Sequence, residues 1–159
     1  MESKIIIREY ESTDKVSVLK LLRLNTPKYF SPEEEKDLIY YLENEIESYY
    51  LLELNDEVVG GGGFNFSGDS SNVKISWDIF HPDHQGKSLG SYLLKYRLEK
   101  LNEFEKLDKI TVRTSQMVYK FYEKSGFKLL EVVKDYWAKG YDLYRMEYEN
   151  INIKNNLTS

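Results

Sequence analysis

The chain has 159 residues, with 22 Lys plus Arg against 27 Asp plus Glu, a net charge of -5 and no cysteine. That length predicts one domain burying roughly 70% of the surface its unfolded chain exposes. The missing cysteine excludes a disulfide scaffold, thiolate metal sites and a cysteine nucleophile, and the acidic balance excludes a general phosphate-backbone binder, so no nucleic-acid partner is expected. No apolar run approaches the ~20 residues of a membrane span, and the three isoleucines after Lys4 are too few for a signal-peptide core, so a cytoplasmic domain without a membrane partner is expected.

Residues 4–9 (KIIIRE) form a β-branched run bounded by polar residues, which predicts a first strand. The stretch 12–24 then places Val16, Leu19 and Leu22 at helical spacing. A second helix has a start signal in Ser31-Pro32-Glu33-Glu34. There the Ser31 hydroxyl can accept from the Glu34 N–H, while the Glu34 carboxylate reaches back to the Ser31 N–H. Pro32 loses nothing at the first helical position, and Leu38, Tyr41, Leu42, Ile46 and Tyr49 continue the apolar face. Strands 49–54 and 57–66 follow, joined at Asn55-Asp56, two residues that tolerate the positive φ of a tight hairpin. The bare backbone of Gly60–Gly63 predicts either a bulge or close approach by another segment or ligand, or else a loose strand end.

Residues 73–80 alternate Val73, Ile75, Trp77 and Ile79 against Lys74, Ser76 and Asp78, the pattern of a strand with one apolar face. The loop HPDHQGK leads into a helix predicted over 88–106, with Leu94, Leu98, Leu101 and Phe104 on its buried side. A strand at 109–114 and a short helix at 116–124, stopped at Gly126-Phe127, come next. The last strands are predicted at 128–133 and 141–148, linked by an aromatic-rich loop, 135–142. Residues 150–159 carry no pattern and are expected to form a disordered tail on a domain of residues 1–149. The order β-αα-βββ-α-β-α-ββ defines an α/β fold, a single domain with a mixed central sheet of six to seven strands and about four flanking helices.

The stretch Ile79–Ser91 sets a glycine-containing loop between a strand and a helix N-terminus. Unpaired N–H groups and the positive end of the helix dipole favour a phosphate there. Gly86 and Gly90 admit close approach, and Lys87 can add a charged contact. Gly86-Lys87-Ser88 matches the end of a P-loop, but that motif needs glycine at position 81, where His81 stands, and Pro82 has no N–H to give. A nucleotide-binding domain is therefore a remote alternative. His81 and His84 have H-x-x-H spacing around Asp83, yet no third ligand accompanies them and no metal is expected.

HPDHQGKSLG followed by SYLL resembles the Q/R-x-x-G-x-G/A motif of the GNAT superfamily of N-acetyltransferases, through Gln85, Ser88 and Gly90. Ser88 replaces the usual middle glycine. A second block, Ser115–Phe127, looks like the family's N-x-x-A-x-x-F-Y-x-x-x-G-F segment, with Ser115 for the Asn and Val118 for the Ala. The element order is also similar to the family's, so the resemblance covers residues 4–149.

This resemblance implies transfer of an acetyl group from acetyl-CoA to a primary amine, a small molecule or a peptide N-terminus, by direct attack in a ternary complex. It implies a pyrophosphate resting on Gln85, Gly86, Lys87, Ser88, Leu89, Gly90 and Ser91. The pantetheine arm would lie beside the backbone of Asp78, Ile79 and Phe80, one N–H of which polarises the thioester carbonyl. Ser115, Phe121 and Lys124 would flank the cofactor's other side. Tyr122 stands where the family commonly carries a tyrosine that protonates the departing thiolate; its alternative is an aromatic packed in the helix interface. Asp78 is the candidate general base, against the alternative of an ion pair with Lys74, and Thr111, where some members carry a base, cannot serve. Tyr136, Trp137 and Tyr141 either border the acceptor site or cap a hairpin. A homodimer could form through the final strand or the Gly60–Gly63 strand. The rival outside enzymology is a non-catalytic acyl-CoA-binding module of the same fold.

Overall fold

A computed structural model describes residues 3–68, 71–85 and 88–149. Gly86 and Lys87, and the tail expected at 150–159, lie outside the described residues. The elements follow the expected order: β1 (Ile5–Glu9), α1 (Lys15–Leu24), α2 (Glu34–Tyr40), β2 (Ser48–Leu54), β3 (Glu57–Ser67), β4 (Asn72–Phe80), α3 (Leu89–Leu101), β5 (Lys109–Thr114), α4 (Tyr119–Lys124), β6 (Phe127–Ala138) and β7 (Tyr141–Tyr148). The α/β fold is built on a seven-stranded mixed sheet of order β1-β2-β3-β4-β5-β7-β6. Among the described residues no helix is long and apolar enough to cross a membrane.

The chain divides into two compact units, one running to Asn65 and including Ser76–Arg97, the other comprising Phe66–Ile75 and the residues from Leu98 on. In the first, β1 pairs antiparallel with β2, and β2 with β3. Asn55 and Asp56 take φ of 50° and 69°, both left-handed, so the hairpin turn forms as its residues predict. The β2–β3 register shifts between Leu52↔Gly60 and Glu53↔Val58, which makes Val59 the extra residue of a bulge.

Val18, Leu19, Leu21 and Leu22 of α1 and Leu38 of α2 form the core of this unit with Tyr41, Leu42, Tyr49, Leu51 and Ile79. Val16 is not on that stripe and is 77% exposed, because two residues before Val18 is ~200° around the helix. Tyr49 belongs to β2 rather than to the preceding helix. Half of the predicted helix-start signal forms. The Ser31 N–H donates to Glu34 Oε2 at 2.7 Å, but the Glu34 N–H bonds the Ser31 backbone carbonyl at 3.1 Å, leaving the buried Ser31 hydroxyl unpartnered. Burial raises the Glu34 carboxyl above the ordinary range.

In the second unit Asn72–Ile75 of β4 run parallel to Lys109–Val112 of β5, β5 is antiparallel to β7, and β7 to β6. Val73, Ile110, Val112, Phe127 and Met146 are buried there. Helix α3 stops at Leu101, where Glu103 and Phe104 close back on Lys100 and Leu101, so Phe104 is half exposed and edge-on to Phe66 instead of continuing the helix. Helix α4 begins at Tyr119, after the Ser115 carbonyl has taken the N–H groups of Val118 and Tyr119.

The loop expected at 135–142 is a correction. β6 runs on to Ala138 and turns through Lys139-Gly140, with Gly140 at φ 86°. Asp135 sits at φ 55° where the register is irregular. Its carboxylate accepts from the Gly140 N–H at 2.7 Å and its own N–H donates to Asp142 Oδ1 at 2.9 Å. Two aspartates thus replace ladder bonds, which is why an aromatic-rich run that reads as a loop stays largely in the sheet.

Candidate active site

In the first unit the regular alternation of β4 breaks at Trp77, whose φ is 49°. A bulky residue in the left-handed region is strained by ~1–3 kcal/mol and persists only where its surroundings over-determine it. Two neighbours do so. The Tyr49 hydroxyl donates to the Trp77 carbonyl at 2.8 Å, and the next side chain, Asp78, accepts from Arg97 Nη2 at 2.5 Å. Arg97 comes from α3 and is fully buried, and it donates also to the Gly63 carbonyl at 3.0 Å and the Leu93 carbonyl at 3.3 Å. Gly62 makes room for this pair: a Cβ there would lie on Asp78 Oδ1 and 2.8 Å from Arg97 Nη1. A Cβ on Gly60 would fall in the Phe80 ring. The glycine run is therefore a site of close approach, next to the Val59 bulge, and not a loose strand end.

Around Trp77 stand other rings. Phe30 stacks on it with centroids 6.2 Å apart, and Tyr41 is tilted at 6.4 Å. The Tyr41 hydroxyl and Ser76 Oγ both donate to Asn65 Oδ1, at 2.9 and 2.7 Å. Burial raises the Tyr41 and Tyr49 phenols well above their ordinary range, so both are neutral hydrogen-bond donors at neutral pH.

At the end of β4 the His81 N–H donates to the Val59 carbonyl at 2.8 Å, so by strand alternation Phe80 turns its N–H and C=O to the opposite side. There the Phe80 carbonyl accepts from Asn25 Nδ2 at 2.8 Å and Gln85 Nε2 at 3.2 Å, and Gln85 Nε2 also donates to Asn25 Oδ1 at 3.0 Å. The side-chain amide of Gln85 thus ties the loop to the C-terminal end of α1, and the backbone N–H of Gln85 donates to the Pro82 carbonyl at 3.4 Å. His81 Nδ1 accepts from the Asp83 N–H, and among the described residues no three His, Asp or Glu side chains converge as metal ligands.

Ser88 has φ 65°, the conformation for which glycine is favoured, which accounts physically for a glycine at this position of the motif. The first bond of the α3 ladder is Tyr92 N–H to the Ser88 carbonyl at 3.0 Å. The N–H groups of Leu89, Gly90 and Ser91 stand ahead of it, aimed out of the helix N-terminus. That arrangement fits a diphosphate. Ser88→Gly is expected to raise unfolding stability by up to about 1 kcal/mol, read as a higher urea midpoint. A lower midpoint would show that the Ser88 hydroxyl does more than tolerate the turn.

The second unit carries the other predicted residues. Ser115 is buried and its Oγ accepts from the Met117 N–H at 3.3 Å. Tyr122 is 3% exposed, edge-on to Phe121 at 5.0 Å and to Phe127 at 5.5 Å, while Phe121 is half-buried and Lys124 exposed. The Gln116 side chain bolts the β6–β7 turn, donating to the Gly140 carbonyl at 2.7 Å and accepting from the Asp142 N–H at 2.9 Å. Trp137 Nε1 donates to the Thr114 carbonyl at 3.1 Å, and the Arg113 guanidinium lies 4.9 Å from the Tyr136 ring centroid and 5.5 Å from that of Trp137. The first unit gathers Asp78, Ile79, Phe80, Gln85, Ser88, Leu89, Gly90 and Ser91, and the second Ser115, Phe121, Tyr122 and Lys124.

Arg97, Asn25 and the Tyr49 hydroxyl were not anticipated. Arg97 had a signal: Leu89, Leu93, Arg97 and Leu101 fall at four-residue steps along one helix face, so a charge stands in an apolar stripe and requires a buried counter-charge.

No curated protein matches the chain by sequence. Among solved structures, a GNAT-family protein from Desulfovibrio desulfuricans superposes with a TM-score of 0.76 at 18% identity, covering 92% of this chain and 99% of that one. The ribosomal-protein-S18-alanine N-acetyltransferase of Escherichia coli gives 0.75 at 16% identity, over 91% and 93% of the two chains. An aminoglycoside 6'-N-acetyltransferase complexed with coenzyme A gives 0.71 at 18% identity, over 89% and 95%. These likenesses establish the shared fold. The model of the acetyltransferase (GNAT) family matches residues 16–127, most of the chain, and with the β4–α3 loop and strand order above it shows that the chain belongs to the GNAT family of acetyltransferases.

Proposed function

We propose that this GNAT acetyltransferase moves an acetyl group from acetyl-CoA to a primary amine, on a small molecule or a peptide N-terminus, by direct attack in a ternary complex in the cytoplasm. The observation that carries the reading is the β4–α3 junction. Ser88 takes the left-handed turn that leaves the Leu89, Gly90 and Ser91 N–H groups ahead of the helical ladder. Acetyl-CoA would supply the thioester that an amine can attack.

In this reading the α3 N-terminus binds the pyrophosphate, with Gly86 and Lys87 adding to it, and Gln85 holds the loop to Asn25. The backbone over Asp78–Phe80 donates to the oxygen on which negative charge develops. Tyr122 gives its phenolic proton to the departing sulfur, and Ser115, Phe121 and Lys124 also bind the cofactor. Asp78, engaged by Arg97, positions rather than accepts the amine's proton, which passes to water.

Free-thiol release from acetyl-CoA across a panel of primary amines, peptides and aminoglycosides tests the reading, with CoA and ATP–Mg²⁺ compared by thermal shift. CoA at 100 times its Kd is expected to stabilise by about 2.7 kcal/mol, and at least one amine to accelerate thiol release. Stabilisation by CoA with no amine-dependent release would identify a binding module. Stabilisation by ATP–Mg²⁺ alone would identify a nucleotide-binding domain.

A further inference from the structure

Arg97 is fully buried on α3 and directs Nη2 to Asp78 Oδ1 at 2.5 Å and Nη1 to the Gly63 carbonyl at 3.0 Å. Asp78 follows directly on Trp77, whose φ is 49° and whose carbonyl is held by Tyr49 at 2.8 Å. Parallel pairing of β4 with β5 runs over Asn72–Ile75, so the strained residue lies two positions past that register.

A buried ion pair is a poor device for stability alone, since well-packed apolar residues of similar volume often serve as well or better. What the pair supplies here is direction. It fixes the side chain of the residue next to a backbone conformation that an isolated strand would not adopt. The bare Gly62 and the Gly63 carbonyl on β3 are shaped to it, so three elements converge on one guanidinium.

We propose that Arg97 is a positioning residue for acetyl transfer: acting through Asp78, it holds the strained turn of β4 at Trp77 and thereby sets the backbone of Asp78–Phe80 where the thioester oxygen is stabilised. The proposal rests on the acetyl-transfer reading above. It assigns Asp78 a geometric duty that an asparagine can largely perform, because asparagine Oδ1 still accepts from Nη2.

The test uses the full-length protein and four variants: Arg97→Met, Asp78→Leu, the two combined, and Asp78→Asn. Each single apolar change should unfold at markedly lower urea, because it leaves one charge buried alone, and the combined variant should recover most of the wild-type midpoint. The combined variant should nonetheless lose about 100-fold in kcat, with the KM for acetyl-CoA moving far less, as expected for misplacement of about 1 Å. Asp78→Asn keeps an Oδ1 that accepts from Nη2, so its fall in kcat should be at least tenfold smaller than that of the combined variant. A combined variant with wild-type kcat would overturn the proposal and leave Arg97 a packing residue. An Asp78→Asn variant as inactive as the combined one would also overturn it, by marking Asp78 as a proton acceptor. If the combined variant does not fold, Arg97→Lys takes its place: it keeps the charge but not the two-armed grip on Asp78 and Gly63, so a lowered kcat is expected and a wild-type kcat would overturn the proposal. A wild-type protein that releases no thiol with any amine sinks the acetyl-transfer reading itself. The crystal structure of the combined or the Asp78→Asn variant then still judges Arg97. Trp77 relaxed to negative φ in the former, or retained near 49° in the latter, supports the clamp, and the converse in either rejects it.

Discussion

Gly62→Ala is expected to lower unfolding stability by about 3–5 kcal/mol, the cost of separating a buried ion pair. The new Cβ would lie on Asp78 Oδ1, 2.8 Å from Arg97 Nη1 and 2.9 Å from Arg97 Cζ. Neither group is the loose end of a flexible side chain. The guanidinium is fully buried and fixed by Leu93, Gly63 and Asp78, and Asp78 hangs from the strained backbone at Trp77. The methyl therefore displaces one charge from the other and leaves both in a site of low polarity. Gly68→Ala is the control: its φ is 62° and a Cβ there meets nothing within 4 Å, so only the left-handed strain of about 1–2 kcal/mol remains. Urea unfolding of the two variants beside the wild type gives the comparison. A Gly62 variant no weaker than the Gly68 variant would mean that the pair adapts and that β4 is not rigidly clamped.

The contrast between these two glycines shows which parts of the molecule a chain without its fold reveals. Asn55-Asp56 was readable because turn chemistry is local: both residues tolerate the φ they adopt. The alternation of Val73, Ile75 and Ile79 marked β4 in the same way, and all three are buried. The β4–α3 loop was readable because helix N-termini and small residues bind phosphate by a short-range rule, and Ser88 at φ 65° adopts the backbone that the motif's glycine implies. Arg97 interrupts the apolar stripe of α3, which signals its burial, but its partners were hidden because they lie 19 and 34 residues away on two strands. Trp77 was hidden for a related reason. Alternation placed it with Ile75 and Ile79, and its positive φ is imposed by Tyr49 and Asp78–Arg97 contacts that no local rule contains. In β6, Asp135 looks like a loop residue and instead accepts from the N–H of Gly140 in the turn beyond, within an irregular stretch of the sheet, so there a local signal misled.

Tyr122→Phe is expected to lower kcat for acetyl transfer by about 100-fold, the lower range of what a positioned general acid contributes. The ring packing argues that this change preserves the aromatic contacts while it removes the phenolic oxygen. Tyr122 is 3% exposed and lies edge-on to Phe121 and Phe127, contacts that a phenylalanine keeps. CoA affinity by calorimetry should therefore change little while turnover falls. The pH dependence supplies a second readout. A departing thiolate with an ordinary thiol pKa near 8.5 needs a proton below that pH and progressively less above it. The deficit of the Phe variant should accordingly be widest near neutral pH and narrow as the pH rises past about 8.5. A variant with wild-type kcat at pH 7 would assign Tyr122 to aromatic packing alone. A pH-independent deficit would point to a role in holding the cofactor arm, in which case the KM for acetyl-CoA would rise with the fall in turnover.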